Sequence, residues 1–99
     1  MLTITAIIRV KTGCEQAMRD ALLMVADNAG PNEPGTIGFF VSQDPDDTCL
    51  FTTYERFTDQ AAMDRHNGSE TVAKFYGMAG PMLDGEVVLV KAVEVSAKA

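Results

Sequence analysis

The segment from Gly35 to His66, GTIGFFVSQDPDDTCLFTTYERFTDQAAMDRH, constrains the fold more than any other. Two runs rich in β-branched and aromatic residues flank the acidic turn Asp44-Pro45-Asp46-Asp47, and a helix start follows the second run. The spacing predicts strands over 36–43 and 49–57 joined as a hairpin. Alternation puts Ile37, Phe39 and Val41 on one face of the first strand. In the second, Phe51, Thr53, Glu55 and Phe57 share a face, opposite Leu50, Thr52, Tyr54 and Arg56. Thr58 is the expected N-cap of the next helix, with Asp59 in its first turn. That helix ends at Asn67-Gly68, just past His66, the one histidine of the chain.

The remaining segments complete a regular order. Residues 2–10 alternate, with Leu2, Ile4, Ala6, Ile8 and Val10 on one side, and read as a strand. After the turn Lys11-Thr12-Gly13, Ala17, Met18, Ala21, Leu22 and Val25 fall at helical spacing, and the Gly30-Pro31 pair implies an end near Asn28. Ser69 and Glu70 start a further helix through about Met78, with Gly77, Gly80 and Pro81 as its breakers. Glu86–Val95 reads as a last strand, and 96–99 as a loose tail. The order is β-α-β-β-α-β with the second helix split. This predicts an α+β, ferredoxin-like fold: one antiparallel sheet with helices on one face.

Length and charge narrow the function classes. Ninety-nine residues imply one domain, 1–99, with its core over about 2–95. A net charge of −6, with eight scattered Lys and Arg, argues against nucleic acid or an anionic membrane as partner. The start MLTITAIIRV carries neither a basic leader nor a membrane-length apolar run. Two cysteines, Cys14 and Cys49, are expected to be reduced thiols, which fits a cytoplasmic location.

The last strand poses a physical problem. Val88, Val90 and Ala92 lie on one side and Val87, Leu89, Val93 and Val95 on the other, so both sides are apolar. Ile7, Leu50 and Tyr54 add to the face that helices do not cover. A strand apolar on both sides calls for cover on both. The simplest arrangement is a homodimer packed through the open sheet face.

Taken together, the chain resembles the antibiotic biosynthesis monooxygenase family, which has the dimeric α/β barrel fold. The resemblance rests on Glu33-Pro34-Gly35 before the second strand, the Asp44–Asp47 loop, Tyr54-Glu55-Arg56-Phe57 with Thr58-Asp59, Ala61-Ala62, His66, and Ser69 followed by Phe75. It spans about 2–95. Phe57 stands where the family usually has Trp. The haem-degrading branch also needs an Asn on the first strand and a later helical His; here Ala6 occupies the first position and no His lies between Ser69 and Gly80. Haem degradation is not expected.

The resemblance implies a monooxygenase without cofactor. An electron-rich quinol, phenol or polyketide-like anthrone loses a proton, and its anion reacts with O₂. Such chemistry asks for an apolar pocket and a base. His66 is the first candidate base because it titrates near neutrality, although a last-turn imidazole also suits a helix C-terminus. Glu55, on the expected covered face, is either a base or half of a buried pair with Arg9 or Arg65. Tyr54 is a candidate donor to an oxyanion, or an interface residue. Phe39, Phe51, Phe57, Met63, Phe75 and Tyr76 are candidate substrate-binding residues, with Met78 and Met82 beside them, and each has a plain core role as its alternative. The sequence carries no metal or nucleotide motif, and a single histidine builds no multi-histidine site. Two other functions stay open. One is isomerisation of a small phosphorylated signalling sugar, for which Arg9, Arg56, Arg65 and Lys74 are the available cations. The other is a non-catalytic dimer holding a small hydrophobic ligand.

Overall fold

The computed structural model describes residues 1–98. Its elements run β1 (Leu2–Arg9), α1 (Glu15–Asn32), β2 (Thr36–Gln43), β3 (Leu50–Phe57), α2 (Gln60–Asn67), α3 (Glu70–Ala79), a 3₁₀ turn (Gly80–Met82) and β4 (Val88–Val93). The strands form one antiparallel sheet in the order β2-β3-β1-β4. This is the ferredoxin-like α+β plan, with the helices on one face.

Alternation decides which side chains meet the helices. From β1, Ile4, Ala6 and Ile8 point into the core, and from β3, Phe51, Thr53, Glu55 and Phe57. From α1 come Met18, Ala21, Leu22, Val25 and Ala29; from α3, Val72, Phe75 and Ala79. A smaller cluster of Ile4, Phe57, Ala62 and Met63 seats α2 over the end of the sheet.

Several boundaries differ from the sequence expectation, each for a local reason. Helix α1 continues through Gly30 and Pro31 to Asn32. Ala29 is buried, and a side-chain ladder clasps the last turn: Asn32 Nδ2 donates to Asn28 Oδ1 at 2.8 Å, and Asn28 Nδ2 to Glu33 Oε2 at 3.0 Å. Ala17, expected inside, is exposed. The N-cap of α2 is Asp59, not Thr58; Asp59 Oδ1 accepts from the Ala62 N–H at 2.8 Å. Ser69 caps α3 as its sequence suggests, accepting from the Val72 N–H. Gly77 sits inside α3 rather than breaking it. In β2 the register slips between Thr36 and Gly38, which turns Ile37 outward while Phe39 and Val41 stay against the core. Cys49 precedes β3 instead of opening it, and both cysteines are free. Strand β4 is shorter than the apolar run that suggested it. Residues 96–98 carry no helix or strand, and Ala99 lies outside the described residues.

The open face of the sheet is apolar. Phe40 is 58% exposed, Val88 and Val90 50% each, and Ile7 and Tyr54 lie beside them. At the end of this patch Arg56 forks onto Glu94, with Nε–Oε1 at 2.6 Å and Nη2–Oε2 at 2.9 Å, and Tyr54 donates to the same carboxylate at 2.9 Å. That pair holds the Glu94 carboxyl down at about 2. Among the described residues, no helix is long and apolar enough to cross a membrane.

Candidate active site

The covered face of β3 carries a carboxylate, and a buried carboxylate needs partners. Glu55 is 6% exposed. Its Oε2 accepts from the Thr53 hydroxyl at 2.7 Å, two residues back on the same face. Its Oε1 lies 3.2 Å from His66 Nε2. The buried pair foreseen for Glu55 therefore exists, but with His66; Arg9 is instead bound to Asp47 on the surface at 2.7 Å. Helix α2 delivers His66 at its last turn, where the ring is 3% exposed and wedged between Phe39 and Phe57 with centroids 5.6 and 5.3 Å away.

The other ring nitrogen has a partner that the sequence reading missed. His66 Nδ1 lies 2.6 Å from Glu33 Oε1. Glu33 follows α1 directly and is pinned by the Thr36 hydroxyl at 2.8 Å and by Asn28. A signal for it appears once α1 is seen to reach Asn32. A carboxylate at a helix C-terminus faces the negative end of the dipole, and so calls for a cation nearby. Burial alone works against a charged imidazole, but hydrogen bonds and attraction from Glu55 and Glu33 outweigh it and raise the His66 pKa above its ordinary value. When doubly protonated, the ring donates to both carboxylates.

This pair opens on a cavity of about 60 Å³ between sheet and helices. Apolar groups from β1, α1 and α3 form most of its wall, with Val87 and Leu89 at one side. Its polar lining is Thr53, Glu55, His66, Asn67 and Tyr76. Burial, and then the negative charge of Glu55, push the Tyr76 phenol upward, so it is a neutral donor at physiological pH. Of the sequence candidates, Phe39, Phe75 and Tyr76 line this cavity beside Glu55 and His66. Phe57 packs on the His66 ring, whereas Phe51 and Met63 are core residues away from the lining. Met78 is exposed, and Met82 lies half-buried against the core. Tyr54 is on the opposite face of the sheet. Val87, Leu89 and Asn67 escaped notice because β4, the residue before it and the last residue of α2 meet only in three dimensions.

On the far side of His66 lies a larger cleft of about 410 Å³, where Asn28, Asn32, Glu33, Arg65 and Ser69 share the wall with Pro34, Gly35, Ala62 and the imidazole itself.

Residues 1–77 match the antibiotic biosynthesis monooxygenase family, a span that holds Glu33, Glu55, His66 and Tyr76 together. The chain belongs to that family. Solved structures agree on the fold of this family member. A Nitrosomonas europaea protein assigned as an antibiotic biosynthesis monooxygenase superposes with a TM-score of 0.90 at 20% identity, over 97% of this chain and 100% of the neighbour. The PA3566 protein of Pseudomonas aeruginosa gives 0.86 at 25% identity, over 96% and 94%. Another antibiotic biosynthesis monooxygenase gives 0.88 at 19%, over 97% and 100%. No curated protein is similar enough in sequence to count as a match.

Proposed function

We propose that this antibiotic biosynthesis monooxygenase family member oxygenates a quinol- or anthrone-type aromatic with O₂ and without a cofactor. The observation that carries the reading is a buried Glu55–His66 pair facing an apolar pocket walled by Phe39, Phe75 and Tyr76. Glu55 acts as the base. His66, committed to two carboxylates, has no free lone pair and serves as the partner that orients Glu55. The substrate gives one proton to Glu55 and becomes a carbanion or phenolate. Its anion passes one electron to O₂, and the radicals join as a C–O–O⁻ peroxide. The Glu55 proton returns to that peroxide. Glu55 then removes the second C–H proton as the O–O bond breaks, leaving a carbonyl and hydroxide, which takes the proton as water. The sum is CH₂ plus O₂ to C=O plus H₂O. Tyr76, a neutral donor in the pocket lining, supports the reading as the group that hydrogen-bonds the developing oxyanion once the substrate is in.

The cavity is smaller than the roughly 150 Å³ that holds a benzene ring. Substrate entry therefore requires the half-exposed Tyr76 and Leu89 to swing outward. Polarity weighs against the phosphorylated-sugar reading. His66 is the one cationic group in the lining, and Arg9 and Arg56 are tied to Asp47 and Glu94. A buried ionisable pair is also more than a passive apolar binder needs. The open sheet face supports a homodimer, and its free thiols fit a reducing, cytoplasmic setting.

The test is oxygen uptake by metal-free protein with a panel of hydroquinones and anthrones. Saturable uptake is expected in wild type, with Glu55→Gln lower by about 10²–10⁴-fold, the usual worth of a general base. Uptake no faster than the spontaneous rate across the panel would refute oxygenation, and full activity in Glu55→Gln would move the base elsewhere.

A further inference from the structure

His66 is the partition between two compartments. Glu55 lines the inner pocket and Glu33 does not; Glu33 lines the outer cleft and Glu55 does not. Among the described residues, His66 is the one that lines both. The inner space is the smaller, at about 60 Å³, whereas the outer one, at about 410 Å³, has room for on the order of ten waters at about 30 Å³ each. The groups facing the ring are Glu33 from the loop after α1 and Glu55 from β3, with Tyr76 from α3 beyond Glu55 and Arg65 from α2 on the cleft wall.

We infer that Glu33 is a proton port, through which the buried His66–Glu55 pair exchanges protons with the outer cleft. His66 Nδ1 gives its proton to Glu33 Oε1 across the 2.6 Å bond, and the carboxyl passes it to cleft water. The ring is left neutral, its remaining proton on Nε2 toward Glu55. The reverse hop restores the imidazolium. With the ring protonated and both carboxylates ionised, the three groups carry one net negative charge. A proton taken by Glu55 from a substrate cancels it, the outward hop at Nδ1 restores it while the anion is oxidised, and the reverse hop follows when Glu55 returns its proton to the peroxide. Glu33 touches neither pocket nor substrate, so it is a positioning residue that acts through His66. The Thr36 and Asn28 bonds hold its carboxylate at the ring edge instead of letting it swing into the cleft.

The port rests on the reading of Glu55 and His66 as the proton-handling pair, yet its test needs no substrate. The chain has one histidine, so ¹⁵N-histidine labelling isolates one imidazole. Ring pKa and Nδ1 proton exchange with water are read by NMR in wild type, Glu33→Gln, Glu33→Asp and Glu33→Ala. Glu33→Gln is expected to lower the ring pKa by about one unit, and to slow exchange at matched protonation. Glu33→Asp should fall between the two. Formate added to Glu33→Ala should restore fast exchange by standing in for the missing carboxylate. Exchange as fast in Glu33→Gln as in wild type would overturn the port. Should the variants fail to fold, wild type decides. Nδ1 proton exchange faster than that at Nε2 supports a port on the cleft side, and exchange at Nε2 as fast or faster refutes it. Normal exchange with no oxygen uptake would sink the oxygenase reading and leave the port standing; uptake with unchanged Glu33→Gln exchange would do the reverse.

Discussion

At His66 two negative groups and a ring depend on one proton. Each carboxylate is buried or nearly so, and a protonated ring between them hydrogen-bonds both and offsets one of their two charges. Removing the ring by His66→Ala leaves Glu33 and Glu55 facing an apolar gap, and is expected to cost about 3–5 kcal/mol, the range for breaking a buried ion pair. Urea denaturation at pH 6 measures it. The pH dependence has a definite sign. The folded-state pKa of His66 is raised, so the folded protein binds this proton more tightly than the unfolded chain does. The stabilisation is complete below the unfolded value of about 6.5 and is lost as pH rises through the higher folded value. Wild type should therefore lose stability across that window, and a folded His66→Asn variant should lose less. The covered position of Glu55 was legible in the sequence, because strand alternation put it beside Phe51 and Phe57. Its partner was not. Arginine looked the natural mate, but which cation reaches a buried carboxylate depends on how α2 lies across the sheet.

The elements hold that triad through two close approaches. The Thr58 N–H donates to the Gly35 carbonyl at 3.0 Å, locking the start of β2 to the end of β3. A Cβ on Gly35 would lie 2.5 Å from the Ala62 Cβ, so α2 approaches here because residue 35 has no side chain. Gly35→Ala should push α2 away, cost about 1–3 kcal/mol as overpacking does, and lower the His66 pKa by loosening its contacts. A thermal melt with the histidine titration beside it reads both. Phe57, wholly buried beneath the ring, should cost about 3–5 kcal/mol on truncation to Ala. Periodicity of two and of about 3.6 made every strand and helix legible. The ends were less so. Pro31 reads as a stop, yet a proline in the last exposed turn forfeits only a hydrogen bond that water replaces, and the Asn28–Asn32–Glu33 ladder holds the turn. The slip that turned Ile37 outward leaves no mark in an unbroken alternation.

For the molecule as a whole, the uncovered sheet is the dominant physical fact. Ile7, Phe40, Tyr54, Val88 and Val90 form an apolar surface that a second copy of the chain could cover, as the proposed homodimer does. Light scattering at micromolar concentration is expected to give twice the 10.7 kDa of one chain. Val90→Glu, which puts a charge in the middle of that surface, should shift the population toward monomer. A wild-type mass of one chain would remove the dimer. The paired apolar sides of β4 made this surface visible in the sequence, whereas the cleft outside His66 was invisible there, being assembled from α1, α2 and the residues between β2 and α1. The central claim, direct insertion of oxygen without a cofactor, meets its sharpest test with ¹⁸O₂. Metal-free protein is given the anthrone or quinol that supports uptake, and product and water are analysed by mass spectrometry. One labelled oxygen in the product carbonyl and the other in water is the expected result. An unlabelled product, with the label recovered as hydrogen peroxide, would contradict it.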